Sequence, residues 1–157
     1  MKILFIDFST GLKSLKDLET RPRRGLTNSL LKVPDALSKL NNSVHVLSDS
    51  DKLENTDAGT AWITRRSFDT RVQYDFMILN RGIGNLYPSI QAKHRILWTH
   101  DLPHNGFALD PDHLKTLSGV VYMSRYAEDV WKTFFPQLKE VKSFWIPNGV
   151  DRSIFYP

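Results

Sequence analysis

Residues 99–104, Thr-His-Asp-Leu-Pro-His, place two histidines and a carboxylate directly after an apolar segment. A histidine at the end of a strand can act as an acid or a base, or it can donate a hydrogen bond to a hydroxyl group. Asp101 could orient His100, or it could bind a hydroxyl group itself. The alternative is a polar strand end that is hydrogen-bonded to its own loop, and the residue types alone do not separate the two.

The same segment could form part of a metal site, because His100, Asp101 and His104 are residue types that bind zinc. Pro103 disfavours the helical spacing that would place both histidines on one face. The chain also lacks cysteine, which excludes a thiolate metal site, a cysteine nucleophile and a disulfide scaffold. A metal-dependent hydrolase is therefore the weakest of the candidate functions, and we expect no metal.

A basic segment precedes the first predicted helix. Residues 9–24 are rich in Lys and Arg and lead into Gly25. A glycine at a loop-to-helix junction lets backbone N–H groups approach a ligand, and the helix N-terminus attracts phosphate. Arg24 could bind phosphate oxygens through two hydrogen bonds. A mobile basic loop before an ordinary helix start is the alternative, and it is favoured on local grounds.

Several known motifs are missing from the sequence. It has no Gly-x-Ser-x-Gly elbow and no Walker loop. Gly82-Ile83-Gly84 lacks the third glycine of a dinucleotide fingerprint and predicts a turn. Arg65-Arg66 lacks the aromatic stripe of single-strand binders, so no nucleic-acid partner is expected. Four tryptophans fall on predicted strands or on the apolar face of a helix and are expected in the core, namely Trp62, Trp98, Trp131 and Trp145.

Hydrophobic periodicity predicts the elements that position these residues. Short apolar segments predict strands at residues 2–7, 44–47, 61–63, 74–79, 95–99, 119–123 and 142–146. Residues 26–40 carry a helical stripe that Pro34 should kink or restart, and Asn41-Asn42 should end it. A short helix is expected near residues 87–93. Ser124 should cap a further helix that Pro136 ends.

Strands that alternate with helices and loops indicate the fold. They predict an α/β domain with a Rossmann-like, open, mostly parallel sheet and helices on both faces. Ligands on such sheets bind beyond the carboxyl ends of the strands. The loops after Asp7, Leu79, Thr99 and Met123 are therefore the places where we expect functional residues.

Length and charge limit the class of protein. The chain has 157 residues, with 21 Lys and Arg against 17 Asp and Glu, and a formal charge of +4. This length fits one domain with a sizeable core. The charge favours anionic partners such as nucleotides, phosphates or an acidic membrane surface, although a solvated surface would explain it as well. The longest apolar runs are four residues, whereas a membrane span needs about 20. We expect a cytoplasmic protein, with peripheral membrane contact as a further option.

Residues 144–157 form the most specific segment, Phe-Trp-Ile-Pro-Asn-Gly-Val-Asp-Arg-Ser-Ile-Phe-Tyr-Pro. This segment resembles the interdomain segment of family 4 glycosyltransferases, in which an apolar strand precedes Pro-Asn-Gly-Val-Asp. Residues 124–129 are similar to the serine-led helix start of that family, and residues 98–101 to its strand ending in a histidine and an acidic residue. Arg24-Gly25 resembles its glycine turn. The sequence departs from the family in its single glycine there, its long basic loop, and the absence of glycine before Val44.

The resemblance implies the N-terminal half of a GT-B fold. Residues 1–147 would form the acceptor-side domain, and residues 148–157 would begin the linker to a donor-binding domain that this chain does not include. The family transfers sugar with retention of configuration, from a nucleotide-sugar to a sugar or phosphate-bearing acceptor, without an obligatory metal or other cofactor. We therefore expect a glycosyltransferase fragment that is inactive without its second domain.

The resemblance also implies roles for individual residues. His100 would lie near the transferred sugar as the catalytic residue. The residues expected to bind substrate or phosphate are Arg24, Gly25, Asp101, Ser124 and Arg125. Asn148 and Gly149 would form the hinge, whose closure expels water from the cleft. An exposed patch around Trp145 is expected where the second domain is missing. A non-catalytic ligand-binding or regulatory module is the alternative function.

Overall fold

The computed structural model describes residues 1–8, 14–15, 25–81, 89–103, 109–147 and 149, with only the backbone of residues 25–28. Eight strands in these ranges form one sheet: β1 (Lys2–Asp7), β2 (Ser43–Ser48), β3 (Glu54–Asn55), β4 (Ala61–Thr64), β5 (Gln73–Asn80), β6 (Gln91–Trp98), β7 (Gly119–Tyr122) and β8 (Ser143–Trp145). The helices are α1 (Gly25–Lys39), α2 (Pro111–Lys115) and α3 (Arg125–Phe134), with a 3₁₀ helix at Pro136–Glu140.

The sheet is open, and its strand order is β3-β4-β2-β1-β5-β6-β7-β8. Neighbouring strands are parallel except for β3 and β4, which are antiparallel. The strand order reverses at β1, because β2 and β4 lie on one side of it and β5 to β8 on the other. This architecture confirms the predicted α/β fold. It also places a topological switch point between β1 and β5, where open α/β sheets bind ligands.

Alternate residues of β1 pack on opposite faces of the sheet. Ile3 and Phe5 share one apolar cluster with Leu30 of α1. Leu4 and Ile6 belong to a second cluster, which includes residues of α2, α3 and the 3₁₀ helix. Both faces of β1 are therefore covered, which explains its nearly continuous apolar sequence. The prediction of helices on both faces is confirmed.

Helix α1 runs without interruption although Pro34 lies inside it and is buried. Of the two predicted effects of Pro34, a kink or a restart, the restart is wrong. A proline removes one hydrogen bond of the helix, and packing against the sheet can offset that loss. Asn41 follows the helix in the left-handed conformation, with φ of 60°. The Nδ2 atom of Asn42 donates a hydrogen bond to the carbonyl oxygen of Leu37, at 2.9 Å. The predicted turn at Asn41-Asn42 is confirmed.

The prediction of a helix near residues 87–93 is wrong for residues 91–93. Residues 91–93 begin β6, and Gln91 lies opposite Gln73 of β5 in the parallel register. Backbone pairing with a buried neighbouring strand has overridden the local preference. Residues 87 and 88 lie outside the described residues. The turn predicted at Gly82-Ile83-Gly84 lies outside the described residues. Arg81, directly before it, has a left-handed φ of 67°.

The expectation of a core position for every tryptophan is wrong for Trp145, which is 49% exposed. The reason is its place on β8, the last strand of the sheet, which has a neighbour on one side only. Trp62 and Trp131 are buried as predicted, and Trp98 is partly buried. The expectation of an exposed patch around Trp145 agrees with its position, since Phe144 and Ile146 beside it are also exposed.

Three short elements were not predicted, because they are too brief to show a hydrophobic period. They are β3, α2 and the 3₁₀ helix.

Ser124 caps α3 as predicted, since its side chain accepts a hydrogen bond from the backbone N–H of Ala127 at 3.1 Å. None of the helices in the described ranges combines the length and apolar character that crossing a membrane requires.

Candidate functional site

Polar residues gather at the carboxyl edge of the sheet, where the central strands end together. Asp7 and Asn80 are the last residues of β1 and β5. His100 follows the end of β6, and Ser124 follows the end of β7. The parallel register aligns these ends, with Leu79 opposite Ile6 and Asn80 opposite Trp98. The edge therefore collects polar side chains beside an apolar core.

The backbone around His100 is fixed from two sides. Thr99 donates two hydrogen bonds to the carbonyl oxygen of Val121, from its N–H at 2.9 Å and its hydroxyl at 3.0 Å. The indole N–H of Trp131 in α3 donates to the carbonyl oxygen of Asp101, at 2.9 Å. The His100 ring also packs against Trp98, with ring centroids 4.6 Å apart. The backbone on either side of His100 is therefore fixed by β7 and α3, and the imidazole itself packs against Trp98 of β6.

His100 is uncharged at neutral pH. Its side chain is buried, and burial lowers its pKa from 6.5 to about 4. The charge of the nearby Arg81 is the second cause of this lowered pKa, whereas the charges of Asp101 and Asp7 act against it. Among the described residues its Nε2 atom has no hydrogen-bond partner. A neutral imidazole has one donor and one acceptor nitrogen, so His100 can bind a hydroxyl group but is a poor proton donor at pH 7.

Arg81 connects the end of β5 to the segment after β6. Its backbone N–H donates to the carbonyl oxygen of Trp98 at 3.1 Å, and its guanidinium pairs with the Asp101 carboxylate through Nη2 and Oδ2. The pair is partly open to solvent, with one third of the Arg81 side chain exposed. Within the described part of the chain the Nε atom of Arg81 has no partner. The guanidinium therefore retains capacity to bind a second group.

Asp7 and Asn80 form a buried pair at the topological switch point. Their exposed fractions are 0% and 5%, and Asn80 Nδ2 donates a hydrogen bond to Asp7 Oδ2 at 2.8 Å. This bond fixes the orientation of the amide, so its carbonyl oxygen points elsewhere. That oxygen, Oδ1, has no hydrogen-bond partner among the described residues. A buried acceptor left without a partner costs about 1–3 kcal/mol.

A pocket of about 200 Å³ opens beside His100. Its walls come from the residues after β6 and from the first turn of α3, namely Thr99, His100, Asp101, Leu102, Met123, Ser124, Tyr126 and Ala127. The first turn of a helix carries N–H groups without partners in the helix and a positive potential. The pocket therefore joins a neutral histidine to a carboxylate and a helix N-terminus.

The structure brings together three of the predicted site residues, since His100, Asp101 and Ser124 line the same pocket. Arg125 is directed elsewhere, because its guanidinium lies 5.3 Å from the ring centroid of Trp145. Gly25 begins α1, as predicted for a residue at a loop-to-helix junction.

The remaining predicted residues concern the first loop and the hinge. Arg24 and Asn148 lie outside the described residues, as does His104 of the metal alternative. Gly149 is exposed, and a Cβ atom built on it would have no neighbour within 4 Å. Among the described residues no group of three His, Asp or Glu side chains is placed to hold a metal ion.

Sequence reasoning missed the roles of Asp7, Asn80 and Arg81. Asp7 and the loop after Leu79 were recognised only as positions at strand ends. The pairing of Asp7 with Asn80 depends on β1 and β5 being neighbours, although 73 residues separate the two. A usable signal was present, since a polar residue that directly follows a buried strand at a switch point commonly faces the ligand crevice.

No model of a known protein family matches the sequence, and no curated protein is significantly similar to it. The resemblance to family 4 glycosyltransferases therefore depends on the quoted motifs alone.

Proposed function

We propose that this chain is the N-terminal, acceptor-side domain of a retaining glycosyltransferase of the GT-B fold. In this proposal the complete enzyme transfers a sugar from a nucleotide-sugar to an acceptor, and this domain needs a donor-binding domain for turnover. The observation that carries the proposal is His100, a buried, neutral histidine beside a pocket at the carboxyl end of β6, whose Nε2 atom has no hydrogen-bond partner in the described part of the chain. The motifs of the resemblance and the α/β fold support the proposal together.

The chemistry of the pocket suits a sugar better than a proton-transfer reaction. A neutral imidazole can hydrogen-bond a sugar hydroxyl without attracting a counter-ion, and its low pKa disfavours a role as general acid at pH 7. The Asp101 carboxylate can accept a hydrogen bond from a second hydroxyl. His100 would then orient the transferred sugar for reaction, which is a form of catalysis by positioning.

The neighbouring cationic groups suit the phosphates of a donor or acceptor. The first turn of α3 borders the pocket, and helix N-termini favour anions. Arg81 lies beside the pocket residue Asp101 and could bind a phosphate oxygen through its Nε atom. A cytoplasmic location and peripheral contact with an acidic membrane surface belong to the same proposal, since the formal charge is +4.

The test is turnover of the full-length product of the native gene with a set of nucleoside diphosphate sugars. The His100→Gln variant is compared with His94→Gln, which changes an exposed histidine of β6, the strand that precedes His100. Loss of one preorganised hydrogen bond should reduce kcat/KM roughly 100-fold in His100→Gln, and His94→Gln should retain full activity. Unchanged turnover in His100→Gln would remove His100 from the mechanism. Tight ligand binding without any transfer would favour the non-catalytic module instead.

A further inference from the structure

We infer that Tyr126 is a specificity-determining residue of the pocket beside His100, and that its ring packs against the C–H face of a cyclic sugar. This assignment rests on the proposed function and deepens it, because it names the class of ligand that the pocket takes. That class is a six-membered ring sugar, a pyranose, rather than an open-chain polyol with similar hydroxyl groups. His100 and Asp101 then bind hydroxyl groups at the edge of the same sugar ring.

Tyr126 is exposed at the wall of the pocket. It is 67% exposed, and it lines the pocket together with Leu102, which is 42% exposed. Apolar side chains exposed singly are common on protein surfaces. Here, two of them border a pocket that is also lined by His100, a buried side chain whose Nε2 atom has no hydrogen-bond partner in the described part of the chain. Ligand pockets typically combine apolar and aromatic walls with a few polar groups that orient the ligand.

Polar and apolar groups are distributed unevenly over the pocket. Two of its hydroxyl groups are already engaged, since that of Thr99 donates to a backbone carbonyl of β7 and that of Ser124 caps α3. The main polar groups left for a ligand are the His100 imidazole and the Asp101 carboxylate. The apolar walls are Leu102, Met123, Tyr126 and Ala127. A pyranose has the same two-sided character, because its hydroxyl groups surround the ring and its C–H groups form an apolar face that suits an aromatic ring.

Tyr126 and the polar groups of the pocket are held at fixed relative positions. Tyr126 is the second residue of α3, whose start is fixed by the Ser124 cap. The indole N–H of Trp131, further along the helix, donates to the carbonyl oxygen of Asp101 at 2.9 Å. This bond ties the helix to the segment that carries His100 and Asp101. A rigid ring sugar should bind such a site better than an open chain, because the chain loses more conformational freedom on binding.

The experiment is an NMR titration of the ¹⁵N-labelled 157-residue chain, read at the backbone amides of Leu102, Tyr126 and Ala127, which line the pocket. The probes are ring sugars paired with their open-chain alditols: D-glucose with D-glucitol, D-mannose with D-mannitol, and D-galactose with galactitol. We expect saturable shifts at these amides with at least one ring sugar. Its alditol should bind at least about threefold more weakly.

Three variants make the test specific to the Tyr126 ring. Tyr126→Ala removes the ring and should weaken binding of the ring sugar about three- to tenfold, with little change for the alditol. Tyr126→Phe keeps the ring and should bind the ring sugar within about twofold of the wild type. Phe134→Ala is the matched control, because it removes an exposed aromatic ring at the other end of α3. Since Tyr126 is largely exposed, its variants should fold as the wild type does, and urea unfolding verifies this.

Four results would overturn the assignment of Tyr126. They are the absence of saturable shifts with every ring sugar, equal affinities for a ring sugar and its alditol, unchanged ring-sugar affinity in Tyr126→Ala, and an equal loss of affinity in Tyr126→Ala and either of the other two variants.

Failure of the proposed function gives a different pattern of results. Ring-sugar binding that depends on Tyr126, without sugar transfer by the full-length protein, keeps the assignment of Tyr126 and removes the transferase. Sugar transfer that depends on His100, with equal kcat/KM in the wild type and in Tyr126→Ala, removes the assignment of Tyr126 and keeps the transferase.

Discussion

Replacing His100 with glutamine should reduce the dependence of folding stability on pH between pH 7 and pH 4. Burial, reinforced by Arg81, lowers the pKa of His100 from 6.5 to about 4 in the folded chain, against the opposing carboxylates. In the unfolded chain the imidazole returns to a pKa of about 6.5. Between these two values the unfolded chain binds a proton that the folded chain does not. The free energy of unfolding therefore falls as the pH is lowered through this range.

The magnitude follows from the two pKa values. Their difference of about 2.5 units corresponds to about 3.4 kcal/mol between the two protonation states. Almost none of this is lost at pH 7, because the histidine is largely neutral in both states. At pH 5 the loss should be about 2 kcal/mol, and it should be nearly complete below pH 4. Glutamine does not titrate, so its variant should lack this component.

Urea unfolding at pH 7, 6 and 5 measures the effect. The loss of unfolding free energy from pH 7 to pH 5 should be about 2 kcal/mol smaller in His100→Gln than in the wild type. The control His94→Gln, which changes an exposed histidine of β6, should follow the wild-type profile. An NMR titration of the His100 ring measures the pKa directly and should give a value near 4. A midpoint near 6.5, or equal pH profiles for all three proteins, would refute the reasoning.

Three further predictions test the surroundings of the site. Arg81→Met should raise the pKa of His100, because the nearby guanidinium is one cause of its depression, and an unchanged ring titration would disprove that contact. Ser124→Ala should lower the free energy of unfolding by about 1 kcal/mol through loss of the helix cap, and Ser124→Asp should restore most of it in urea titrations. Gly119→Ala should cost about 1–3 kcal/mol, because a Cβ atom there would lie 2.7 Å from Cε2 of Phe144. The cost should shrink in a Phe144→Ala background, and an equal cost in both backgrounds would contradict the proposed clash.

The central strands were predictable from sequence because buried strands consist of short runs of apolar residues. Residues 3–6 are all apolar, which is typical of a parallel strand that is covered on both faces. Elements whose position depends on distant partners were not predictable in the same way. Residues 91–93 carry two polar side chains, and they form a strand because β5 supplies the pairing. Trp145 is exposed because β8 is an edge strand of the sheet, and the sequence of β8 does not show that it lies at the edge.

The residues of the candidate site also fall into those that local sequence could predict and those that depend on distant partners. His100 and Asp101 could be found from sequence, because a polar pair directly after an apolar strand marks a carboxyl end. The Asp7–Asn80 pair and the contact of Arg81 with Asp101 could not be found, since each joins different strands across the sheet. Arg125 is a predicted binding residue that does not line the pocket beside His100. It follows the helix cap in a segment that resembles a known motif, but its guanidinium packs on Trp145.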